Sequence, residues 1–265
     1  MLTFVPTPIG NLEDISLRSK KALQRADFIF CEDTRVIKKL LNLLDISLNK
    51  TFISMHSHNE NEILNKLNPN LLKTKECVYV SDAGMPGISD PGAKLIKFAQ
   101  QHNIKYTILP GATAFSVAYV ASGFEGEFCF FGFLPHKGEK REKKLKEVTN
   151  CNKIAILYES PHRIEKLIDE LKNLIPNREI FLAKELTKIH ETYIKSKAKD
   201  ITIPNTKGEW VVVIDKEDKQ KTLKLSYEEI LNLPLPIKEK AKLLSKISNQ
   251  NTKEIYKTLS KNNLL

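Results

Sequence analysis

The amino-acid sequence predicts an α/β protein: a mostly parallel sheet first, a second α/β part with a more mixed sheet, and a short helical extension at the end. Three observations carry this. Apolar runs of strand length alternate with stretches of helical spacing over residues 2–122. The pattern breaks at Ser122-Gly-Phe-Glu-Gly126 and restarts with strands more closely clustered. From residue 216 the chain turns cationic, with 11 Lys against 6 acids, a net of +5. These breaks divide the chain into residues 1–123, 124–218 and 219–265.

Residues 2–6 form a short apolar run that ends in a Pro/Gly turn. Residues 16–26 have helical spacing, with Leu17, Ala22, Leu23 and Ala26 on one side. Residues 27–31 are apolar again, 36–44 are helical and 52–55 read as a strand. Over 61–72, Ile63, Leu64, Leu67, Leu71 and Leu72 recur near i, i+4 and i+8, which predicts one helix. A strand at 76–81 opens into a loop from Asp82 to Gly92, followed by a helix over 93–102 and a strand over 105–109. After the Pro110-Gly111 turn, residues 113–122 make a helix of small residues. The Phe-rich stretch 128–134 is closed by Pro135. Then come a helix over 138–149, a strand over 153–158, a helix over 163–174, and strands over 179–184, 191–195 and 209–215. In the tail, 238–247 and 252–259 read as two short helices joined by the polar turn Ser248-Asn-Gln-Asn251, a small helix-turn-helix outline.

Alternation of this kind implies a parallel sheet covered on both faces, with ligands bound beyond the carboxyl ends of its strands. Three loops fall at those ends: Thr7-Pro-Ile-Gly-Asn11, the 82–92 loop and Pro110-Gly-Ala-Thr113. Together they hold Gly10, Gly84, Gly87, Gly92 and Gly111, five of the ten glycines. Glycine lets backbone approach a ligand closely, so the three loops predict a pocket. G-x-G-x-x-G is absent, and Gly10 stands alone after the first strand. A Rossmann-type cofactor site is therefore not expected. Asp82, which opens its loop, is the best-placed carboxylate to face a cofactor; an Asx turn is the other use of such a residue.

The composition is globular: 41% hydrophobic and 28% charged residues exclude a disordered chain. The net charge of +10 favours anionic partners, nucleic acid first, although nearly all the cations are Lys and solubility alone produces the same excess. Cys31, Cys77, Cys129 and Cys151 form no C-x-x-C pair, which fits a reducing compartment. No apolar run approaches a membrane span and no signal peptide is visible, so a cytoplasmic protein is expected.

Several blocks resemble the tetrapyrrole methylase superfamily, and within it the bacterial 16S rRNA (cytidine 2'-O)-methyltransferases. They are Thr7-Pro-Ile-Gly-Asn-Leu-Glu-Asp-Ile-Ser-Leu-Arg18, Cys31-Glu-Asp-Thr-Arg35, His56-Ser-His-Asn-Glu60 and Val80-Ser-Asp-Ala-Gly-Met-Pro-Gly-Ile-Ser-Asp-Pro-Gly92. Further on come Leu109-Pro-Gly-Ala-Thr-Ala114, Phe131-Gly-Phe-Leu-Pro-His-Lys137, Glu159-Ser-Pro-His-Arg163, Lys184-Glu-Leu-Thr-Lys188 and Lys207-Gly-Glu209. The resemblance spans the chain. It implies two α/β domains with S-adenosylmethionine in the cleft between them, and a homodimer. The substrate it implies is a cytidine ribose in the decoding centre of 16S rRNA, in the 30S subunit. The tail resembles the helix-turn-helix extension that ends family members. Cofactor contacts carry over to Ile9, Gly10, Asp82, Met85, Ala112 and Thr113, and from the second part to Tyr158, Leu186 and Glu209. Met85 is a departure, since the family usually carries Thr there.

Methylation of a ribose hydroxyl calls for positioning, and for a base or a cation beside the oxygen. Glu32, Asp33, Arg35, Lys184, Glu185 and Lys188 are candidates that the sequence leaves open; Arg35 and Lys184, with Asp33, are the choices for holding phosphate or ribose. Asp33 also suits a helix N-cap. His56 and His58 have metal-like H-x-H spacing but no third ligand, so substrate contact or helix capping is preferred and no metal is expected. The run from Lys137 to Lys146 has six cations and two acids. With Arg163, its residues Lys137, Lys140, Arg141, Lys143 and Lys144 are the expected RNA contacts; a solvated helix face is the plainer reading of such a run. Two other functions stay open: a small-molecule tetrapyrrole methyltransferase, and a non-catalytic RNA-binding assembly factor.

Overall fold

The computed structural model describes residues 1–216, 226–248 and 251–262. The chain divides into two compact units at Glu217/Asp218. The first unit contains two five-stranded sheets.

The first sheet has the order β3-β2-β4-β1-β5 and is parallel throughout. Its strands are β1 (Leu2–Val5), β2 (Phe28–Cys31), β3 (Thr51–Ser54), β4 (Cys77–Val80) and β5 (Tyr106–Ile108). Between them run α1 (Leu17–Arg25), α2 (Thr34–Leu43), α3 (Glu60–Lys66), α4 (Pro69–Thr74) and α5 (Ala93–Gln101). Side chains alternate across the strands, so Leu2, Phe4, Phe30, Cys77 and Tyr79 fill one core. Val5, Ile29, Cys31, Val78 and Val80 fill the other. Both faces are therefore buried, as a parallel sheet requires. Polar side chains start the helices: the Ser16 hydroxyl accepts the Ser19 N–H for α1, and the Asp33 carboxylate accepts the Arg35 N–H for α2.

The helix expected over 61–72 is two helices. Pro69 has no N–H and disfavours helical backbone at Asn68. The chain therefore stops α3 at Lys66 and restarts with Pro69 in the first turn of α4, where the Asn68 side chain accepts the Asn70 N–H.

The second sheet has the order β6-β7-β10-β8-β9. Its strands are β6 (Phe128–Phe133), β7 (Ile154–Glu159), β8 (Glu179–Lys184), β9 (Thr192–Lys197) and β10 (Trp210–Ile214), with α7 (Glu139–Thr149) and α8 (Ile164–Leu174) inserted between. Only the β6–β7 pair is parallel, so the sheet is mixed as expected. Helices α7 and α8 cover one face through Leu145, Val148, Leu167 and Leu171. The other face, with Ile156, Phe181, Val211 and Val213, is covered by α6 (Ala114–Ser122), the helix that leaves the first sheet after β5.

The second unit holds three helices among its described residues: α9 (Tyr227–Asn232), α10 (Ile237–Ser248) and α11 (Thr252–Asn262). Ile230, Ala241, Leu244 and Ile255 form its core. The first of these helices was not read from the sequence; its signal is the capping box Ser226/Glu229. Asn249 and Gln250 of the expected polar turn lie outside the described residues. Among the described residues, no helix is long and apolar enough to cross a membrane.

Candidate active site

The three glycine-bearing loops meet at the carboxyl edge of the first sheet. After β1 and β4 the chain is stitched by paired backbone bonds: Thr7 N–H donates to Gly84 O (3.0 Å) and Gly84 N–H donates to Thr7 O (3.1 Å). The Ser81 hydroxyl also donates to Gly84 O. Gly84 has φ +80°, and a Cβ there would lie 3.2 Å from Ile9 Cγ2 and 3.4 Å from Ala112 O. Gly84 is thus the point where the loops after β1, β4 and β5 converge.

The first loop also docks onto the second sheet. A Cβ on Gly10 would lie 2.5 Å from Lys188 Cγ, 2.6 Å from Thr187 Oγ1 and 2.8 Å from Leu186 O. Asn11 N–H donates to Thr187 Oγ1 at 3.1 Å. The docked segment is strained, with Glu185 and Thr187 at φ +52° and +65°. Lys188 Nζ bridges the carboxylates of Glu185 (3.0 Å) and Glu209 (2.9 Å) and fixes this corner. Burial works to raise the Glu185 carboxyl, but the Glu209 N–H and Lys188 outweigh it and hold it below its ordinary range.

Between the sheets these loops enclose a cavity of about 390 Å³, a size suited to one small molecule. Ile9, Asp82, Ala83, Gly84, Met85, Ile88, Ser89, Asp90, Thr113 and Ala114 line it from the first part. Phe133, Tyr158, Glu159, Ser160, Pro161, Leu186, Glu209, Trp210 and Val211 line it from the second. Seven of the nine expected cofactor residues are in this wall: Ile9, Asp82, Met85, Thr113, Tyr158, Leu186 and Glu209. Gly10 and Ala112 stand behind it, one against the 185–188 segment and one beside Gly84. The Tyr158 hydroxyl accepts the Phe115 N–H, and Phe130 and Phe133 flank its ring edge-on.

Carboxylates gather on the first-sheet side. Burial and then the Asp90 and Asp82 charges push the Glu32 carboxyl up to about 7. Burial, with Asp82, pushes Asp90 up to about 6. Asp82 is raised by burial as well, and its carboxylate accepts the Asp33 N–H at 3.2 Å. The Asp82 backbone N–H in turn stabilises the Glu32 carboxylate, so the ends of β2 and β4 brace each other. Asp33 is held down at about 2 by its hydrogen bonds with Arg35, whose Nη2 lies 2.6 Å away. Arg35 is paired with Asp33 yet 88% exposed.

Three expected contacts are corrected. Lys184 is buried; its Nζ donates to Asn205 Oδ1 and lies 5.6 Å over the Trp210 ring, so it does not line the cavity. Arg141 is 2% exposed and clamps Glu170 through Nε and Nη2 while Nη1 reaches Pro135 O. Arg163 pairs with the buried Glu159 at 2.7 Å and donates to Leu134 O. Both arginines are engaged with protein carboxylates and carbonyls behind the cavity wall, Arg141 fully buried and Arg163 half-buried. Lys137, Lys140 and Lys143 are exposed, and Lys144 pairs with Glu147 over the Phe131 ring. His58 is exposed and His56 half-buried, their rings 6.0 Å apart; Asn59 Oδ1 accepts the His56 N–H. Among the described residues no three His, Cys, Asp or Glu side chains are grouped to hold a metal ion.

Asp90, Ile88 and Ser89 were missed, although they lie inside the glycine-rich loop already singled out. Phe133, Ser160 and Pro161 lie in blocks that carry the resemblance, 131–137 and 159–163, and Trp210 carried no comparable signal; the parallel pairing of β6 with β7 and the antiparallel pairing of β7 with β10 bring them to the site.

Residues 1–202 match the family model described as Tetrapyrrole (Corrin/Porphyrin) Methylases. The chain is similar to the Ribosomal RNA small subunit methyltransferase I of Campylobacter fetus, 46% identical over 98% of this chain and 99% of that protein. It is also similar to the protein of the same name from Helicobacter pylori strain J99, 41% identical over 97% and 96%. Among solved structures, the methyltransferase CobJ superposes with a TM-score of 0.62 at 20% identity, covering 82% of this chain and 94% of that one. The cobalt precorrin-4 methyltransferase CbiF gives 0.61 at 16% identity, over 81% and 94%. At those identities the two structures speak for the fold.

Proposed function

The chain belongs to the tetrapyrrole methylase family, and from that premise we propose that it transfers a methyl group from S-adenosylmethionine to the 2'-hydroxyl of a cytidine in 16S rRNA. The observation that carries the reading is the cavity: seven of the nine residues carried over as cofactor contacts, scattered from Ile9 to Glu209 in sequence, line it.

The lining fits that cofactor. Ile9, Met85, Leu186 and Val211 offer an apolar bed, and Asp82 and Glu209 offer carboxylates to a ligand that carries a sulfonium and an amino group. When bound, S-adenosylmethionine supplies a methyl already activated by positive sulfur. The chain's own task is to bind, orient and exclude water. The loops after β1 and β4 form a preorganised wall because paired backbone bonds tie them together, and the loop after β5 packs closely on Gly84. On the second-sheet side, side-chain ion pairs from Arg163 and Arg141 hold the buried Glu159.

For the RNA, the exposed Arg35, Lys137, Lys140 and Lys143 are the cations available to phosphate. Such contacts orient the substrate without reading its sequence. The reading includes action in the cytoplasm on the 30S subunit and a homodimer. Exposed Phe128 on edge strand β6 and exposed Val120 on α6 support the dimer. Sedimentation at micromolar concentration checks it: a monomer would remove it.

The deciding experiment is mass spectrometry of 16S rRNA from a strain lacking the gene, before and after incubation of its 30S subunits with protein and S-adenosylmethionine. One cytidine ribose is expected to gain a methyl. Unchanged rRNA, with the cofactor bound, overturns the reading and favours a small-molecule acceptor.

A further inference from the structure

We propose that Asp90 is the general base that takes the proton of the acceptor hydroxyl. This rests on the methyl-transfer reading above and names a residue for it.

Four carboxylates line the cavity: Asp82, Asp90, Glu159 and Glu209. Glu159 is fully buried and paired with Arg163, with Arg141 3.7 Å away. Glu209 is tied to Lys188 and its side chain is 76% exposed. Asp82 accepts the Asp33 N–H. Asp90 alone of the four has a carboxylate without a hydrogen bond or ion pair among the described residues. It is also half-buried, where an unpaired carboxylate is costly unless a ligand meets it.

Its surroundings set its proton affinity. Asp82 faces it from its own loop and Glu32 from the end of β2. The phenols of Tyr79 on β4 and Tyr158 on β7 are within its field. Tyr79 is fully buried, and its hydroxyl has no hydrogen-bond partner among the described residues. Glu60 of α3 also acts on Tyr79, but it accepts the Gly92 N–H and pairs with Lys94. Among the described residues, no cation acts on Asp90. Glu32 holds its proton to about pH 7 and Asp90 to about 6, so at neutral pH Asp90 is the ionised partner. Two carboxyls pushed apart in this way divide the roles of proton holder and proton acceptor.

The step balances. The hydroxyl proton passes to the Asp90 carboxylate, the ribose oxygen forms its bond to the methyl carbon, and the carbon–sulfur bond breaks with its electron pair going to sulfur. The negative carboxylate and the positive sulfonium both end neutral.

The test compares wild type, D90N and E32Q in single-turnover methylation of unmethylated 30S subunits against pH. S-adenosylmethionine binding is followed by calorimetry, and the Asp90 carboxyl is titrated by carbon NMR. Wild type is expected to lose rate below about pH 6, where the carboxyl titrates. D90N is expected to bind the cofactor as wild type does, to be ~10²–10⁴-fold slower, and to lack the acidic limb. E32Q is expected to keep that limb. Full-rate D90N, a limb that vanishes in E32Q and stays in D90N, or D90N that no longer binds cofactor each overturns the assignment while leaving the methyltransferase reading intact. Wild type that binds cofactor but methylates no 16S rRNA overturns both. The wild-type limb and carboxyl titration do not depend on D90N folding, and a carboxyl titrating near 4 overturns the proposal by itself.

Discussion

A single hydrogen atom at Gly10 decides how closely two halves of the cavity approach. Alanine there would drive a methyl into Leu186 O, a backbone atom that cannot swing aside. Gly10→Ala is expected to weaken S-adenosylmethionine binding and to cost ~1–3 kcal/mol of stability, as overpacking does. Calorimetry and urea unfolding check it, and an unchanged affinity would show that the contact does not shape the site. Arg141 makes the opposite case. Its charge reads from sequence as part of a solvated basic run. Yet it shares a helical face with Leu145 and Val148, at i+4 and i+7, and all three are buried. That periodicity was available in the sequence, but the count of cations around it concealed it. Arg141→Ala is expected to lower stability by ~3–5 kcal/mol, because it removes the bidentate partner of Glu170 and one of the two cations beside the buried Glu159. Loss of RNA affinity with unchanged unfolding would contradict this.

At the scale of elements, the strand and helix order was largely legible, because apolar period and loop glycines agree along the first half. The three loops were legible for the same reason, since they follow strands whose carboxyl ends make the site, and so was Asp82 at the opening of its loop; Ile9, Met85 and Thr113 within those loops came from the family resemblance. What a linear pattern does not encode is which sheet a helix covers. Helix α6 has small apolar residues that would suit either sheet, and only packing shows that it lies on the second. Nor does it encode the meeting of Glu32 with Asp90, which depends on β2 lying next to β4. That meeting has a consequence for stability. Both carboxyls bind protons more tightly folded than free, with ordinary values of 4.5 and 3.8 rising to about 7 and about 6. Their contribution is therefore complete below the ordinary values and is lost as pH rises through the folded ones. E32Q is expected to gain in Tm relative to wild type as pH climbs from about 5 to about 8. A difference that stays constant across that range excludes the coupling.

For the whole molecule, the charge of +10 is a field as well as a set of contacts. Replacing Lys137, Lys140 and Lys143 together by Gln is expected to reduce the salt dependence of rRNA binding by a slope of about 2–3. Filter binding over a salt series checks this, and an unaltered slope would move the phosphate contacts elsewhere. Every residue lining the cavity lies in the first unit. Removal of residues 218–265 is therefore expected to leave S-adenosylmethionine affinity unchanged in calorimetry while rRNA affinity falls.

The placement of α6 also imposes an order in time. The helix is complete by Ser122, but β10, the last of the three strands that Ala118 and its neighbours cover, begins at Trp210. At about 5–20 residues per second of synthesis, the ribosome needs roughly 5–20 s to bridge that gap. For those seconds the first sheet is whole and the apolar side of α6 lacks part of its cover, since β7 and β8 emerge before the strand that lies between them. A nascent chain stalled before β10 would therefore offer a binding surface to holdase chaperones that the finished protein conceals.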